Sequence, residues 1–497
     1  MPGLIERALN HENRIAIRQG DRSWPYQMLL KDSASLAWLL TSISGDLTGK
    51  RIAFLVQPGY HYVRVQWAIW RCQAVAVPLC TDHPAPALQY VLEDTTATLL
   101  IHERGFSDRV SGLTLSSGGI KLQLPEVNEV PAGSSSDLSV APEWPAMILH
   151  TSGTTNKPKG VVITHGNLIA QMRMLEKAWG WSSNDEILCV LPLHHIHGIV
   201  NVAGCALWSG ACCRFLEGSF SADAVFDTFL QTSVNVFMAV PTIYYKLIAA
   251  WEQYPEDRRN RISRRLNTFR LMVCGSAALP VSVMEKWEQI SGHRLLERYG
   301  MTEIGMALSN PLTGERRAGS VGAPLPGVDV RLCDEQDQPI EPGVPGEIQV
   351  KGETVFRQYW NRPEATTTAF TSDGWFRTGD VAVVEEGYYR ILGRNSVDII
   401  KSGGYKISAL EIEEVLRSHP AIADCCVVGL PNEEWGETVA AAIIVREPLE
   451  PSSINTWLRE RMPAYRIPRT FLMTDSLPRN AMGKVMKPEV KKLFNQP

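Results

Sequence analysis

Short apolar runs alternate with helical patterns along most of this chain, and nearly every run ends in small or polar residues. "AMILH" (146–150) precedes a Ser/Thr/Gly segment, and "EILCVLPL" (186–193) ends at "HHIHG". "VNVFMAV" (234–240) runs into Pro241, "FRLMVC" (269–274) into "GSAALP", and "HRLLE" (293–297) into "RYGMTE". Apolar runs without polar alternation predict strands buried on both faces. Pro241 suits the first turn of the helical pattern that continues through Trp251. Strands separated by helices predict a mostly parallel sheet covered on both sides. Such sheets bind ligands in the crevice beyond the strands' carboxyl ends, which is where the polar clusters fall. The pattern nominates one composite site built from four or five loops, with "RYGMTE" read as one of them.

The texture changes near residue 394. "ILGRNSVDIIKSGGYKIS" leads into an amphipathic helix at Ser408, where Ser408 and Glu411 have capping-box spacing and Leu410, Val415 and Leu416 supply the apolar face. "DCCVVGLP", a buried strand at "VAAAIIV" (439–445), a helix around 453–461 and a basic end follow. The expected architecture is α/β in two parts. A large domain over 1–394 holds mixed, mostly parallel sheets covered by helices, and a small α+β domain covers 395–497. Residues 111–145, rich in Ser, Gly and Pro, read as loop-rich connection.

Composition narrows the classes. The chain has 497 residues, more than one ordinary core holds, with 44% hydrophobic and 21% charged residues. A net charge of −4 offers no broad basic surface, so no nucleic-acid partner is expected. No stretch approaches the roughly 20 apolar residues of a membrane span. The start, "MPGLIERALNHENR", carries acids early and has no hydrophobic signal core, so the cytoplasm is the expected location, with the mitochondrial matrix as the alternative if a presequence was removed. The ten cysteines form no CxxC pair and mostly sit in apolar runs, which reads as reduced, buried thiols.

"TSGTTNKPKG" (151–160) combines small residues, hydroxyls and lysines. Small residues let backbone N–H groups converge on an anion, while hydroxyls and lysines add donors and charge. The Walker A spacing is absent. Composition alone leaves a phosphate grip and a flexible polar hairpin equally open. The stretch resembles the phosphate loop of the acyl-adenylating superfamily, which includes acyl-CoA synthetases, peptide-synthetase adenylation domains and firefly luciferase. Asn156 stands where the usual form has glycine, and Asn tolerates a left-handed backbone well. "LPLHHIHG" (191–198), "GSAALP" (275–280), "YGMTE" (299–303), "GWFRTGD" (374–380) and "PRNAMGK" (478–484) are similar to that family's further motifs.

The resemblance implies two steps. A carboxylate attacks ATP with Mg²⁺ assistance to give an acyl-adenylate. The small, mobile domain then rotates, and a thiol, usually that of coenzyme A, takes the acyl group. ATP or AMP would be held by Thr151, Ser152, Gly153, Thr154, Thr155, Lys159, Gly275, Ser276, Ala277, Glu297, Tyr299, Gly300, Met301, Asp380 and Arg394. Within that set the resemblance assigns Tyr299 to the adenine ring and Asp380, with Arg394, to the ribose. Thr302 would hold a phosphate oxygen, Glu303 would hold Mg²⁺ and Lys484 would swing in as the catalytic lysine. His195, at the family's histidine position, would line the acyl pocket with His197, and Ser396 would be the hinge. Ser402, Gly403, Gly404 and Tyr405 would meet coenzyme A in the second step.

Adenylation does not require Arg298. A guanidinium buried in an apolar acyl pocket would be costly without a partner. A substrate with a second carboxylate would supply one through a bidentate pair. Lys246, one turn into the helix after "AVPT", could assist. An ion pair with Glu297 or Glu303, or an outward-facing side chain, would equally explain the arginine. "ERYGMTEIGMALSNP" and "FMAVPTIYYKLI" look most like malonyl-CoA synthetases, and the likeness runs from about residue 145 to 487. It implies a malonate–CoA ligase, with methylmalonate or a similar dicarboxylate also fitting. An enzyme that activates another small acid or loads a separate carrier protein remains open, as does a nucleotide-binding protein without activity.

Overall fold

The computed structural model describes residues 3–116, 118–130, 140–151, 158–479 and 483–494. Its largest sheet runs, edge to edge, through Ala323–Pro324, Gly305–Ser309, Leu296–Met301, Leu271–Cys274, Val236–Ala239, Glu186–Cys189, Cys212–Phe215, Ile15–Gln19 and Arg22–Pro25. The strands from Leu296–Met301 to Ile15–Gln19 are parallel, and both margins are antiparallel. Leu271–Cys274 and Val236–Ala239 are buried at every position. Their unbroken apolar runs fill the space between helices on both faces.

A second sheet runs through Gln358–Tyr359, Lys159–Thr164, Pro145–Thr151, Val75–Pro78, Arg51–Leu55, Leu99–His102 and Ile120–Gln123. Ile120–Gln123 lies inside the stretch read as connection. It pairs in parallel with Leu99–His102 at the sheet's edge and is only half-buried, so its apolar signal is thin. A third, antiparallel sheet joins Val328–Cys333, Gly346–Gly352, Phe376–Glu385 and Tyr388–Arg394. The main core lies among these layers, with Trp67 and Trp179 fully buried in it.

One expectation is corrected here. "RYGMTE" is not a loop after a strand. Leu296–Met301 continues through Arg298 and Tyr299, and the chain turns back only at 302–304 into Gly305–Ser309. Arg298 stands opposite Ser309 in this hairpin. The extension is held where Asn310 donates from its backbone and its side chain to the Glu297 carbonyl, both at 3.0 Å. Polar residues on a strand at a ligand site break the apolar pattern that would announce it.

Past Arg394 the chain crosses a turn at 395–398 and enters a separate sheet containing Ile399–Ser402, Tyr405–Ser408, Ile422–Asn432, Gly436–Val445 and Thr470–Met473. Helices Ala409–Arg417 and Pro451–Arg459 cover it over their own apolar cluster. Only half of the capping box forms. Ser408 Oγ accepts from Glu411 N at 3.2 Å and donates to the Leu392 carbonyl at 2.5 Å. The Glu411 carboxylate instead binds Arg390 at 2.7 Å and Arg466 at 3.0 Å. Other bonds also tie this part to the large sheets: Val281 N donates to Glu414 Oε1 at 2.9 Å, and Lys406 Nζ lies 2.7 Å from Glu335.

No helix among the described residues is long and apolar enough to cross a membrane. All ten cysteines are buried and free. Replacing Ser408 by Ala removes a cap and leaves the Leu392 carbonyl without its donor. The unfolding transition of the C-terminal part should then weaken by about 1 kcal/mol in urea titrations, the usual worth of such a cap.

Candidate active site

Polar side chains gather beyond the carboxyl ends of Glu186–Cys189, Val236–Ala239 and Leu271–Cys274, beside the 296–309 hairpin. On one side stands a carboxylate-centred cluster. Tyr299 donates to Asp380 Oδ2 at 2.6 Å, and Arg394 Nε donates to Asp380 Oδ1 at 2.9 Å. Asp380 and Arg394 are cross-strand partners, so the sheet itself sets their pairing. Burial drives the Tyr299 phenol well above its ordinary pKa, so it stays a neutral donor. At Gly300 a Cβ would lie 2.0 Å from the Gly305 carbonyl, so only glycine fits. Met301 and Thr302 are half-buried at the turn.

Glu303 is buried, and its carboxylate accepts from the Tyr359 hydroxyl at 3.0 Å. Burial raises its pKa, partly offset by that hydrogen bond. Lys159 Nζ sits 5.0 Å over the Tyr359 ring, so Lys159, Tyr359 and Glu303 are neighbours. A buried carboxylate with oxygens to offer suits a hard cation such as Mg²⁺. Ser152, Gly153, Thr154, Thr155 and Asn156 lie outside the described residues. The stems on either side are described: Thr151 pairs with Lys159 in the sheet.

Sequence reasoning did not find the support beneath those stems. Asp94 takes His150 at 3.0 Å and Arg362 at 2.6 Å on its two carboxylate oxygens. Tyr90 donates to the Pro158 carbonyl at 2.7 Å, and Trp360 N donates to the Gly160 carbonyl at 2.7 Å. Helix Ala85–Asp94 thus holds both stems. Asp94 and Arg362 are 268 positions apart, and no spacing rule joins them.

The other side of the hairpin is the acyl candidate. Arg298 is only 3% exposed. It lies against Gly275, where a Cβ would come 2.7 Å from Arg298 Nε. Its Nη2 donates to Ser276 Oγ at 3.3 Å, and among the described residues its Nε has no partner and no carboxylate forms a salt bridge with it. Burial lowers its pKa to about 10, which still leaves it charged at neutral pH. Glu297 points the other way, since neighbours on a strand face opposite sides. Its Oε1 accepts from Leu279 N at 3.0 Å, and its Oε2 has no partner among the described residues. Burial raises the Glu297 carboxyl to about 8.

His197 is buried, with Nδ1 3.1 Å from Ser276 Oγ and Nε2 without a partner among the described residues. Burial, and then the Arg298 charge, hold its pKa well below the ordinary value, so the imidazole is neutral. Ser276 has φ 71°, a left-handed conformation rare for serine. That twist places one hydroxyl between His197 and Arg298. Gly275 is buried and Ala277 exposed. His195 is half-buried, its ring centroid 4.0 Å from that of His194, and burial lowers its pKa to about 4. A wide-turned π-helix, His197–Gly204, follows and is buried throughout.

Lys246 lies in the helix that follows Val236–Ala239. Pro241, Tyr244, Leu247 and Ile248 form the buried face of their helix. Lys246 falls on the opposite, exposed face, with its Nζ 5.6 Å over the Phe220 ring. In the C-terminal part Lys484 is exposed, and Gly483 packs so close to Thr242 that a Cβ would lie 3.1 Å from Thr242 Oγ1. Ser402 is buried, while Gly403 and Gly404 have φ of 56° and 82°. Tyr405 is exposed and stacks on Tyr465 at 4.4 Å. Ser396 is exposed within the 395–398 turn.

A carboxylate held by a tyrosine and an arginine, a buried glutamate of a kind that suits a hard cation, and two stems of a phosphate-type loop fit an enzyme that handles a nucleotide. The chain belongs to the AMP-binding enzyme family: that family's model matches residues 4–360, and the AMP-binding enzyme C-terminal domain matches residues 411–484. It is 45% identical to the malonate–CoA ligase ACSF3, mitochondrial, of Xenopus laevis, over 92% of this chain and 85% of that protein. Among solved structures it is similar to ATP-bound MatB from Rhodopseudomonas palustris, with TM-score 0.91, 29% identity and coverage of 99% of this chain and 98% of that one. Against apo MatB from the same organism, at the same identity and coverage, the TM-score is 0.82.

The unpartnered Glu297 oxygen makes a pH prediction. A carboxyl whose folded-state pKa is raised loses stability as pH climbs from its ordinary 4.5 to about 8. Glu297→Gln keeps an acceptor for Leu279 N and has no charge to bury. The melting temperature of the variant should fall less than that of the parent across this range and exceed it above pH 8. Parallel curves for the two proteins would show that Glu297 is not the group titrating.

Proposed function

We propose that this chain is an AMP-forming ligase that joins malonate, or its methyl homologue, to coenzyme A through an acyl-adenylate. The observation that carries the reading is Arg298, a buried guanidinium without a salt bridge to any described carboxylate. The likeness to a protein named malonate–CoA ligase supports it.

One malonate carboxylate docks on Arg298, with the Ser276 hydroxyl and the neutral His197 completing the pocket. His195 belongs to its wall. The other carboxylate attacks the α-phosphorus of ATP, and the bond to pyrophosphate breaks. Tyr299, Gly275, Ser276 and Ala277 border the adenine, while Asp380 and Arg394 hold the ribose. Lys159, Thr302 and the residues after Thr151 hold phosphate oxygens. Glu303 would hold Mg²⁺, which offsets phosphate charge when bound. Lys484 stabilises the charge that builds during attack, as preorganised donors do. In the second step the thiolate of coenzyme A attacks the mixed anhydride and AMP leaves.

The division at 394/395 is the boundary between two bodies, with Ser396 in the pivot. Several contacts support an adenylate-forming orientation: Gly483 against Thr242, Glu414 on Val281 N, and Lys406 on Glu335. The better match to ATP-bound than to apo MatB agrees with it. Rotation would break these contacts and bring Ser402, Gly403, Gly404 and Tyr405 to the pantetheine arm. Two compartments fit the reading: the cytoplasm, and the mitochondrion that the frog relative's name gives. The ten buried free thiols suit either reducing compartment.

An acid panel tests the substrate. Malonate should exceed acetate, propionate and octanoate in kcat/KM, and comparable rates on a monoacid would sink the dicarboxylate reading. Arg298→Gln should lower kcat/KM for malonate at least about 30-fold, the loss for removing one partner of a buried charge pair worth roughly 2 kcal/mol or more. ATP binding should persist. In Lys484→Ala, malonate-dependent ATP–pyrophosphate exchange should fall roughly a hundredfold, as when a charge-stabilising donor is removed.

A further inference from the structure

Lys487 lies three positions beyond Lys484, yet the two differ completely in setting. Lys484 is exposed, whereas Lys487 is only 8% exposed. Lys487 Nζ lies 2.7 Å from Asp398 Oδ1 and 2.9 Å from Glu413 Oε1. Burial pushes its pKa down, but Glu413 and Asp398 outweigh this and hold it above the ordinary lysine value. Glu413 is anchored inside the C-terminal sheet, where its Oε1 accepts from Val427 N at 2.9 Å and its Oε2 takes Arg417 at 3.2 Å.

Asp398 is the last residue of the turn that links the two parts. Its Oδ2 accepts from Arg394 N at 2.9 Å, its own N–H donates to the Arg394 carbonyl at 2.7 Å, and its carbonyl accepts from Ala409 N at 2.8 Å. Arg394 in turn holds Asp380, which accepts from Tyr299. An unbroken path of polar contacts therefore runs from the Lys484 segment through Lys487, Asp398 and Arg394 to the proposed ribose carboxylate. Apolar residues of similar volume would stabilise the small domain as well as this buried triad, or better. What the triad adds is a fixed register between the hinge turn and the C-terminal segment.

We propose that Lys487 is a positioning residue for adenylate formation: by gripping Asp398 at the hinge turn, it fixes the Lys484 segment relative to the Asp380–Arg394 pair. The inference rests on the reading of Lys484 given above. It places the pivot between Arg394, which stays with the large domain, and Asp398, which moves with the small one. The Asp398–Arg394 bonds are those the rotation must break.

The test uses full-length protein and separates the half-reactions. Malonate-dependent ATP–pyrophosphate exchange reports the first, and coenzyme A-dependent AMP release from added malonyl-adenylate reports the second. In Lys487→Met, kcat for exchange should fall roughly ten- to a hundredfold, the scale of a misplacement near an ångström. KM for malonate should hold, and the second half-reaction should stay within about twofold of the parent. Lys487→Arg should restore most of the exchange rate. Equal losses in both half-reactions without rescue by arginine would assign Lys487 to stability alone and overturn the proposal, as would undiminished exchange. Should Lys487→Met fail to fold, Asp398→Asn keeps the Lys487–Glu413 pair. It should show the same split, and normal exchange in it refutes the idea. Lys484→Ala runs alongside: if it leaves exchange intact, the assignment of Lys484 has failed. If it abolishes exchange while Lys487→Met does not, only the positioning role has failed.

Discussion

A charged guanidinium enclosed by protein, with no salt bridge to any described carboxylate, sets the terms for the rest of this site. Leaving such a charge unpaired costs several kcal/mol, and the surroundings do little to relieve it. Glu297, its chain neighbour, faces away and favours its protonated form below about pH 8. His197 is neutral, and Ser276 contributes only a hydroxyl. The pocket therefore keeps a net positive charge that a bound carboxylate would neutralise. A monocarboxylic acid would press an apolar tail against that charge and leave it unsatisfied. Sites of this kind reject a substrate lacking the polar group far more strongly than an apolar pocket rejects an extra methylene.

The hairpin solves a second electrostatic problem. A dicarboxylate and a triphosphate repel each other, yet one carboxylate must reach the α-phosphorus. Along Leu296–Met301 successive side chains point to opposite faces. Arg298, proposed for the acyl side, reaches Ser276, while Tyr299 reaches the cluster around Asp380. One strand thus separates the two anion-handling zones by a single residue. Gly300, against the Gly305 carbonyl, lets the turn close tightly enough for Glu303 to sit beneath it.

That division explains what could and could not be read in advance. The central strands were legible because burial on both faces demands unbroken apolar runs, as in Leu271–Cys274. The helix at Pro241 was legible from its proline and its three-to-four spacing. The hairpin was read as a loop because its ligand-facing residues are polar. The exposed setting of Lys246 was not legible because position along a helix, without its face, does not say where a side chain points. Its helix turns Tyr244 and Leu247 inward and so turns Lys246 out. The Asp94–His150–Arg362 brace was invisible because it is made by tertiary packing across distant segments. The family motifs marked the site's residues, but not the hydroxyl bridge from Ser276 to both His197 and Arg298, which depends on a left-handed backbone.

The two halves of the reaction ask opposite things of the C-terminal part. Adenylation needs a cation held close to the α-phosphate, and thioester formation needs it gone. A charge that must move cannot be buried, because each departure would strand it or its partner in a low dielectric. Lys484, proposed for that role, is accordingly on the surface, reached by a turn at Gly483 that packs against Thr242. A charge that defines where that turn begins has the reverse requirement. It must not exchange partners as the domain swings, and enclosure between Asp398 and Glu413 ensures that. Cost in stability and precision in placement then have the same origin, and the weak links are left where rotation needs them: the Arg394–Asp398 bonds across the hinge and the Glu414 contact with the first turn of the helix after the glycine loop.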